Sequence, residues 1–104
     1  MPKTMAVYYI NSYDITDPEL FKTYGPKLLP ILRKYGAEIL ASDTAGIAVE
    51  GNPRLMNAIV RFPSEEAAMQ CYNDPEYQPV KAIRQQATAN CTMVLVKEFQ
   101  LPTK

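Results

Sequence analysis

The chain has 104 residues, of which 47% are apolar and 21% charged, and this composition fits one globular domain spanning residues 1–104. Eleven basic residues balance eleven acidic ones, so the chain lacks the positive charge expected of a general nucleic-acid or anionic-membrane binder. It contains no histidine, which excludes histidine-ligated haem, histidine-based metal sites and Ser-His or Cys-His nucleophiles within one chain.

Cofactors and a secretory route also lack support in the sequence. The chain has no histidine and no cysteine cluster, and its four scattered glycines form no phosphate-binding loop, so we expect no haem, flavin, nucleotide or transition metal. No apolar run nears the roughly 20 residues of a membrane span, and the N-terminal "AVYYI" is too short for a signal-peptide core. Cys71 and Cys91 stand apart, which favours two reduced thiols over a disulfide. We therefore expect a cytoplasmic protein.

The first third of the chain predicts a strand followed by a helix. Met5 to Tyr13 is rich in valine, tyrosine and isoleucine without a helical period, which is typical of a strand. Asp17 can then cap a helix whose apolar residues recur at helical spacing as far as Tyr35. A kink or restart is predicted near Gly25-Pro26, because a proline inside a helix removes a hydrogen bond.

Three short strand candidates follow. Glu38 to Ala41 and Ile47 to Glu50 flank a turn-prone "SDTAG" and predict either one interrupted strand or a hairpin. Leu55 to Phe62 predicts a strand of alternating character. In that strand one face carries Asn57, Ile59 and Arg61, and the opposite face carries Met56, Ala58, Val60 and Phe62.

The last third predicts a second helical arm and a final strand. Ser64 can cap a helix over "EEAAMQCY". The stretch "NDPEY" repeats the start signal of "TDPEL", so the arm should break at Asn73 and restart in a new direction with Asp74 as its cap. Cys91 to Phe99 predicts a β-branched strand.

The resulting βαββαβ order predicts an α+β fold of the ferredoxin-like kind, an antiparallel sheet with helices on one face. The opposite face of such a sheet must be covered by water or by another sheet. We expect Val7, Tyr9 and Ile59 to form an exposed apolar patch there, through which two copies associate as a homodimer with two-fold symmetry.

Several segments resemble an uncharacterised family, known as domain of unknown function 1330, within the dimeric α/β-barrel superfamily. These segments are "DITDPELFKTY", "RKYGAEILA", "VEGN", "IVRFPSEEAAMQCYNDPEYQPVKAIR" and "MVLVKEF". The resemblance implies a ferredoxin-like subunit whose sheet packs against that of a second subunit to enclose a barrel-like interior. It implies no reaction, because folds of this sort host unrelated functions.

Carboxylates, tyrosines and arginines are the residues left to carry chemistry. Arg84 has a planar fork that suits a carboxylate ligand or Glu50, the acid that we expect to lie nearest to it. Tyr77 lies two helical turns from Arg84 and can share its face toward the sheet. The pair Glu50 and Arg84 either closes as a structural latch or flanks a cavity in which Arg84 holds an anion. The other ligand-binding candidates are Tyr24, Asn11 and Arg61.

Three functions are compatible with these residues. The first is a cofactor-free enzyme on a small aromatic or carbonyl compound, in which Glu50 moves a proton. The second is a binding or sensing module for a small organic acid, and the third is a structural dimer. A role on a small aromatic or carboxylic molecule, by binding or by conversion, is our leading interpretation.

Overall fold

One antiparallel sheet and four helical segments make up the computed structural model, which describes residues 5–100. The strands are β1 (Val7–Ile15), β2 (Glu38–Asp43), β3 (Met56–Phe62) and β4 (Thr88–Lys97), in the spatial order β2-β3-β1-β4. The helices are α1 (Pro18–Phe21), α2 (Tyr24–Lys34), α3 (Glu65–Tyr72) and α4 (Tyr77–Ala87). The predicted βαββαβ order is confirmed. Within residues 5–100, no helix combines the length and the apolar character needed to cross a membrane.

The first helical arm is interrupted, as the prolines predict. The Asp17 carboxylate caps α1 by accepting a hydrogen bond from the backbone N–H of Leu20 at 3.1 Å. The chain then leaves the helix and restarts at Tyr24, which makes Pro26 the third residue of α2. Because the first N–H groups of a helix have no intrahelical partner, Pro26 costs no hydrogen bond there. Pro30 lies inside α2.

The expected strand at Ile47 to Glu50 is wrong. Residues 44–55 form an exposed loop between β2 and β3, and Ile47 and Val49 are 92% and 90% exposed. β-Branched residues favour a strand only where a neighbouring strand and a packed face are present, and this loop has neither. β2 itself continues to Asp43 and pairs with β3 directly.

The corner between α3 and α4 is built around a buried carboxylate. Asp74 Oδ1 accepts a hydrogen bond from the backbone N–H of Glu76 at 2.7 Å, and Oδ2 accepts from Lys34 Nζ at 2.8 Å and from the Tyr35 hydroxyl. These donors, Lys34 first, lower the pKa of Asp74 to about 2. The predicted break at Asn73 is confirmed, but α4 begins at Tyr77 with Glu76 at its N-cap position, so the expectation that Asp74 caps this helix is wrong. Asp74 instead connects the corner to Lys34 and Tyr35 at the end of α2.

The expectation that Val7 and Tyr9 face away from the helices is wrong. Val7 lies opposite Phe62 in the β1–β3 register, and directly opposed residues point to the same side of a sheet. Val7 and Phe62 are almost completely buried under the helices. The Tyr9 ring packs edge-on against the Phe62 ring, with centroids 5.8 Å apart. We call this helix-covered side the inner face. The opposite side, the outer face, carries Tyr8, Ile10, Ile59, Val94 and Val96.

The last strand begins earlier than the sequence predicts. β4 starts at Thr88, directly after α4, and the β1–β4 register shifts between Ser12 and Asp14. Asn90 lies at this irregularity with a positive φ of 56°, and its amide donates to Asp14 Oδ2 at 2.9 Å. Asparagine tolerates the left-handed region better than most residues, so it fits this bulge.

Candidate ligand-binding cleft

A partly open cleft lies between the helices and the inner face of the sheet. It has two lobes, of about 40 and 150 Å³, which share Asn11, Tyr24, Leu28 and Val60 in their walls. The sheet forms the floor, mainly through β1 and β3, and all four helical segments contribute to the walls. The larger lobe is also lined by Tyr13, Phe21, Gly25, Ile39, Ser42, Met56, Ala58 and Arg84.

Strand and helix periodicity places these side chains together. Asn11 and Tyr13 are two residues apart on β1 and therefore point to the same face. Tyr24 and Leu28 are four residues apart on α2 and lie one above the other. Gly25 also lines the larger lobe, and a Cβ at that position would meet no atom within 4 Å. The cleft therefore follows from the regular spacing of residues on β1 and α2.

Arg84 is the charged residue of the larger lobe. It lies in the last turn of α4, is only 5% exposed, and donates from Nη1 to the Cys91 sulfur at 3.2 Å. Its Nε is buried and has no hydrogen-bond partner among the described residues. No carboxylate of residues 5–100 forms an ion pair with it. The guanidinium is thus a buried cation without a counter-charge in the described chain.

Tyrosines surround this cation. Burial raises the pKa of Tyr13 to about 12, and burial also raises the pKa of Tyr24. Burial alone would lower the pKa of Arg84, but the neighbouring Tyr77 and Tyr24 outweigh it and the pKa is raised overall. At neutral pH Tyr13 and Tyr24 are therefore uncharged, while Arg84 carries its full charge. They can donate hydrogen bonds to a ligand but cannot neutralise the guanidinium.

Asn11 is the second polar residue with unused hydrogen-bonding capacity. It lines both lobes, and its Oδ1 is buried without a partner among the described residues. Because an amide offers one acceptor and two donors, Asn11 can serve either a hydroxyl or a carbonyl group of a ligand. Buried polar atoms are normally paired, so each unpaired one needs an explanation.

The structure brings together four of the six candidate residues and separates two. Tyr24, Tyr77, Asn11 and Arg84 line the cleft. Glu50 does not form the expected pair with Arg84, because it lies in the exposed loop 44–55 and lines a separate shallow depression there.

Arg61 lies on the outer face, where it pairs with Glu38 Oε1 at 3.3 Å. Two residues of the site were not among the predicted candidates: Tyr13, which lines the larger lobe, and Cys91, whose sulfur accepts a hydrogen bond from Arg84. The two-residue spacing of Tyr13 from Asn11 could have revealed the former.

The fold and the cleft define a ferredoxin-like α+β protein with a cavity under its helices. Residues 6–99 match the family described as domain of unknown function (DUF1330), and the chain belongs to that family. No curated protein matches the chain.

Solved structures with the same fold cover nearly the whole chain. The RPA0582 protein of unknown function from Rhodopseudomonas palustris is 16% identical, with a TM-score of 0.81 over 95% of this chain and 86% of that one. SnoaB, a cofactor-independent oxygenase from Streptomyces nogalater, is 11% identical, with a TM-score of 0.69 over 97% and 100%. A dimeric ferredoxin-like protein of unknown function from Thermobifida fusca is 14% identical, with a TM-score of 0.59 over 94% and 95%. At such identities the likeness concerns the fold alone.

Proposed function

We propose that the protein binds a small organic molecule, without a cofactor, in the cleft between its helices and the inner face of its sheet. The observation that carries this proposal is a lobe of about 150 Å³ with mainly aromatic and aliphatic walls, lined also by Arg84 and Asn11, each of which has a buried polar atom without a partner among the described residues. Ligand sites typically combine an apolar lining with a few fixed polar groups. A lobe of this size matches an engineered cavity of about 150 Å³ that holds benzene.

Binding is better supported than conversion. A general base must reach the proton that it removes, and no carboxylate lies among the residues that line the two lobes. Glu50, the acid assigned to proton transfer in the sequence analysis, lies outside the cleft. Conversion is the second candidate, and the shared fold with the cofactor-independent oxygenase SnoaB favours it.

Filling the larger lobe tests the proposal. Ala58→Leu adds three carbons to the floor of the lobe, whereas Ala45→Leu adds the same atoms to the exposed loop 44–55. Small aromatic probes are titrated into each isotope-labelled protein and followed by the backbone amide signals. We expect shifts at the lining residues in the parent and in Ala45→Leu, and none in Ala58→Leu. Shifts confined to other surfaces, or equal binding by all three proteins, would refute the proposal.

We also propose that two copies associate through the outer face. Ile10 and Val94 lie side by side in the β1–β4 register and are 41% and 53% exposed, with Val96 beside them. Contiguous exposed apolar patches on a sheet mark interaction sites. A second copy is the occupant that we propose, because a two-fold axis brings the same patch against itself and the Thermobifida fusca protein of this fold is dimeric.

A charge on the outer face tests this assembly. Val94→Asp places a carboxylate in the patch, whereas Leu29→Asp places one on α2, at a helix residue that is 40% exposed. Sedimentation at micromolar concentration should show a dimer for the parent and for Leu29→Asp, and a monomer for Val94→Asp. A monomeric parent, or a dimer that Val94→Asp leaves intact, would contradict the proposal.

A further inference from the structure

We infer that the ligand of the cleft is a small aromatic monocarboxylate with a second polar group, of the hydroxybenzoate kind, held by Arg84 and Asn11. This inference rests on the proposed function and adds the chemical class of the ligand. It is carried by three features of the larger lobe: an unpaired charge, an unpaired amide and aromatic walls.

The positive charge of Arg84 favours a negatively charged ligand. A buried cation without a partner is strongly unfavourable, and Arg84 has neither a carboxylate partner among residues 5–100 nor a partner for its Nε. The surrounding tyrosines stay neutral at pH 7, since burial raises the pKa of Tyr13 and Tyr24. A ligand carboxylate would accept from Nε and supply the missing negative charge. A guanidinium is well matched to carboxylate geometry.

The side-chain amide of Asn11 favours a ligand that carries a second polar group. Asn11 Oδ1 is buried and unpaired, and Asn11 lies in the wall of the same lobe as Arg84. A simple hydrocarbon acid would neutralise Arg84 but leave Asn11 unsatisfied, and an unpaired buried polar atom weakens a complex. A hydroxyl or carbonyl substituent on the ligand can pair with this amide.

The aromatic residues that line the larger lobe indicate that the ligand contains an aromatic ring. Phe21, Tyr13 and Tyr24 line the lobe, and the Phe21 ring lies 5.6 Å from the Tyr24 ring and 5.8 Å from the Tyr13 ring, measured between centroids. Flat apolar rings of this kind pack well against another ring. A volume of about 150 Å³ accommodates one six-membered ring. Inorganic anions such as phosphate would leave these walls unused.

Matched ligands and matched variants test the inference by calorimetric titration at pH 7. The probes are 4-hydroxybenzoate, its uncharged isostere 4-hydroxybenzamide, benzoate and inorganic phosphate. The proteins are the parent, Arg84→Met, Asn11→Ala and the control Arg33→Met, which removes an exposed guanidinium from α2. Circular dichroism spectra confirm that each variant is folded.

We expect the parent to bind 4-hydroxybenzoate about 10- to 100-fold more tightly than the amide, the range that one charge-assisted hydrogen bond provides. Arg84→Met should abolish that preference, Arg33→Met should keep it, and Asn11→Ala should abolish the preference for 4-hydroxybenzoate over benzoate. Equal binding of acid and amide, a preference that survives Arg84→Met, or phosphate binding as tight as that of the acid would overturn the inference while leaving the proposed cleft intact. Binding of no aromatic probe would overturn both.

Discussion

Replacing Arg84 by methionine should make the protein more stable. Methionine has a similar length, no charge and enough flexibility to fill an irregular apolar space. In the folded subunit Arg84 is 5% exposed and has no ion-pair partner among residues 5–100, so its desolvation is offset only by polar neighbours. Burial of a charge without an ion-pair partner is expected of a residue that serves ligand binding rather than folding.

The size of the effect follows from two opposing contributions. Replacing buried ionic groups by packed apolar side chains of similar volume ranges from neutral to stabilising by about 1–4 kcal/mol. Against this, the variant loses the hydrogen bond from Nη1 to the Cys91 sulfur at 3.2 Å, which is worth about 1 kcal/mol. With the stabilising values of the first contribution, we expect the free energy of unfolding to rise by up to about 3 kcal/mol. For a domain of this size that corresponds to an increase of up to about 12–24 °C in melting temperature.

Thermal and denaturant unfolding without ligand provide the assay. Arg33→Met is the control, because that arginine is exposed on α2 and surface substitutions usually change stability by less than about 0.5 kcal/mol. A melting temperature of Arg84→Met below that of the parent would show that Arg84 supports the fold. The reasoning that assigns its charge to a ligand would then fail, whatever the binding data show.

Three further predictions concern Asp74, Gly36 and the two cysteines. Lys34 and the other donors to Asp74 lower the pKa of its carboxyl group to about 2, below the ordinary value of 3.8. The ionised carboxylate therefore stabilises the fold above about pH 4, and this contribution is lost as the pH falls toward 2. When unfolding is measured across this pH range, Asp74→Asn should lose less stability than the parent. Gly36→Ala should cost about 1–2 kcal/mol by denaturant unfolding, because Gly36 has a φ of +70°. A thiol reagent at pH 7 should label one site per folded subunit, since burial raises the pKa of Cys71 to about 11 whereas Cys91 is exposed.

Local signals in the sequence were enough to predict most of the fold. Asp17 and Ser64 cap their helices as expected, at 3.1 and 3.0 Å, because a capping bond involves residues only three apart. The alternation along β3 correctly assigned Met56, Val60 and Phe62 to the core, since polar residues separate them and mark the opposite face.

The facing of β1 required information that its own residues do not contain. Tyr8, Tyr9 and Ile10 form a continuous apolar run, so either set of alternate residues could point to the helices. A shift of one residue in pairing would exchange the two faces. Only the register with β3, in which Val7 lies opposite Phe62, decides between them.

The candidate site was predicted in part for a similar reason. Tyr77 and Arg84 lie on one helix, and helical periodicity alone places both on its buried face. The pairing of Arg84 with Glu50 required the path of a twelve-residue loop, which no local pattern determines. Loops follow the surface, and their side chains carry no periodic signal.

The cleft is better explained as a site than as a packing defect, because its irregular features coincide. Away from the two lobes the core is closed: Ala6, Val7 and Ala87 are at most 2% exposed. At the larger lobe an arginine lacks a counter-charge among residues 5–100 and an asparagine lacks a partner for its buried oxygen. Each of these lowers stability, and single substitutions can relieve them independently. Two independent costs located around one volume of about 150 Å³ are offset together if that volume is occupied by a ligand that satisfies both.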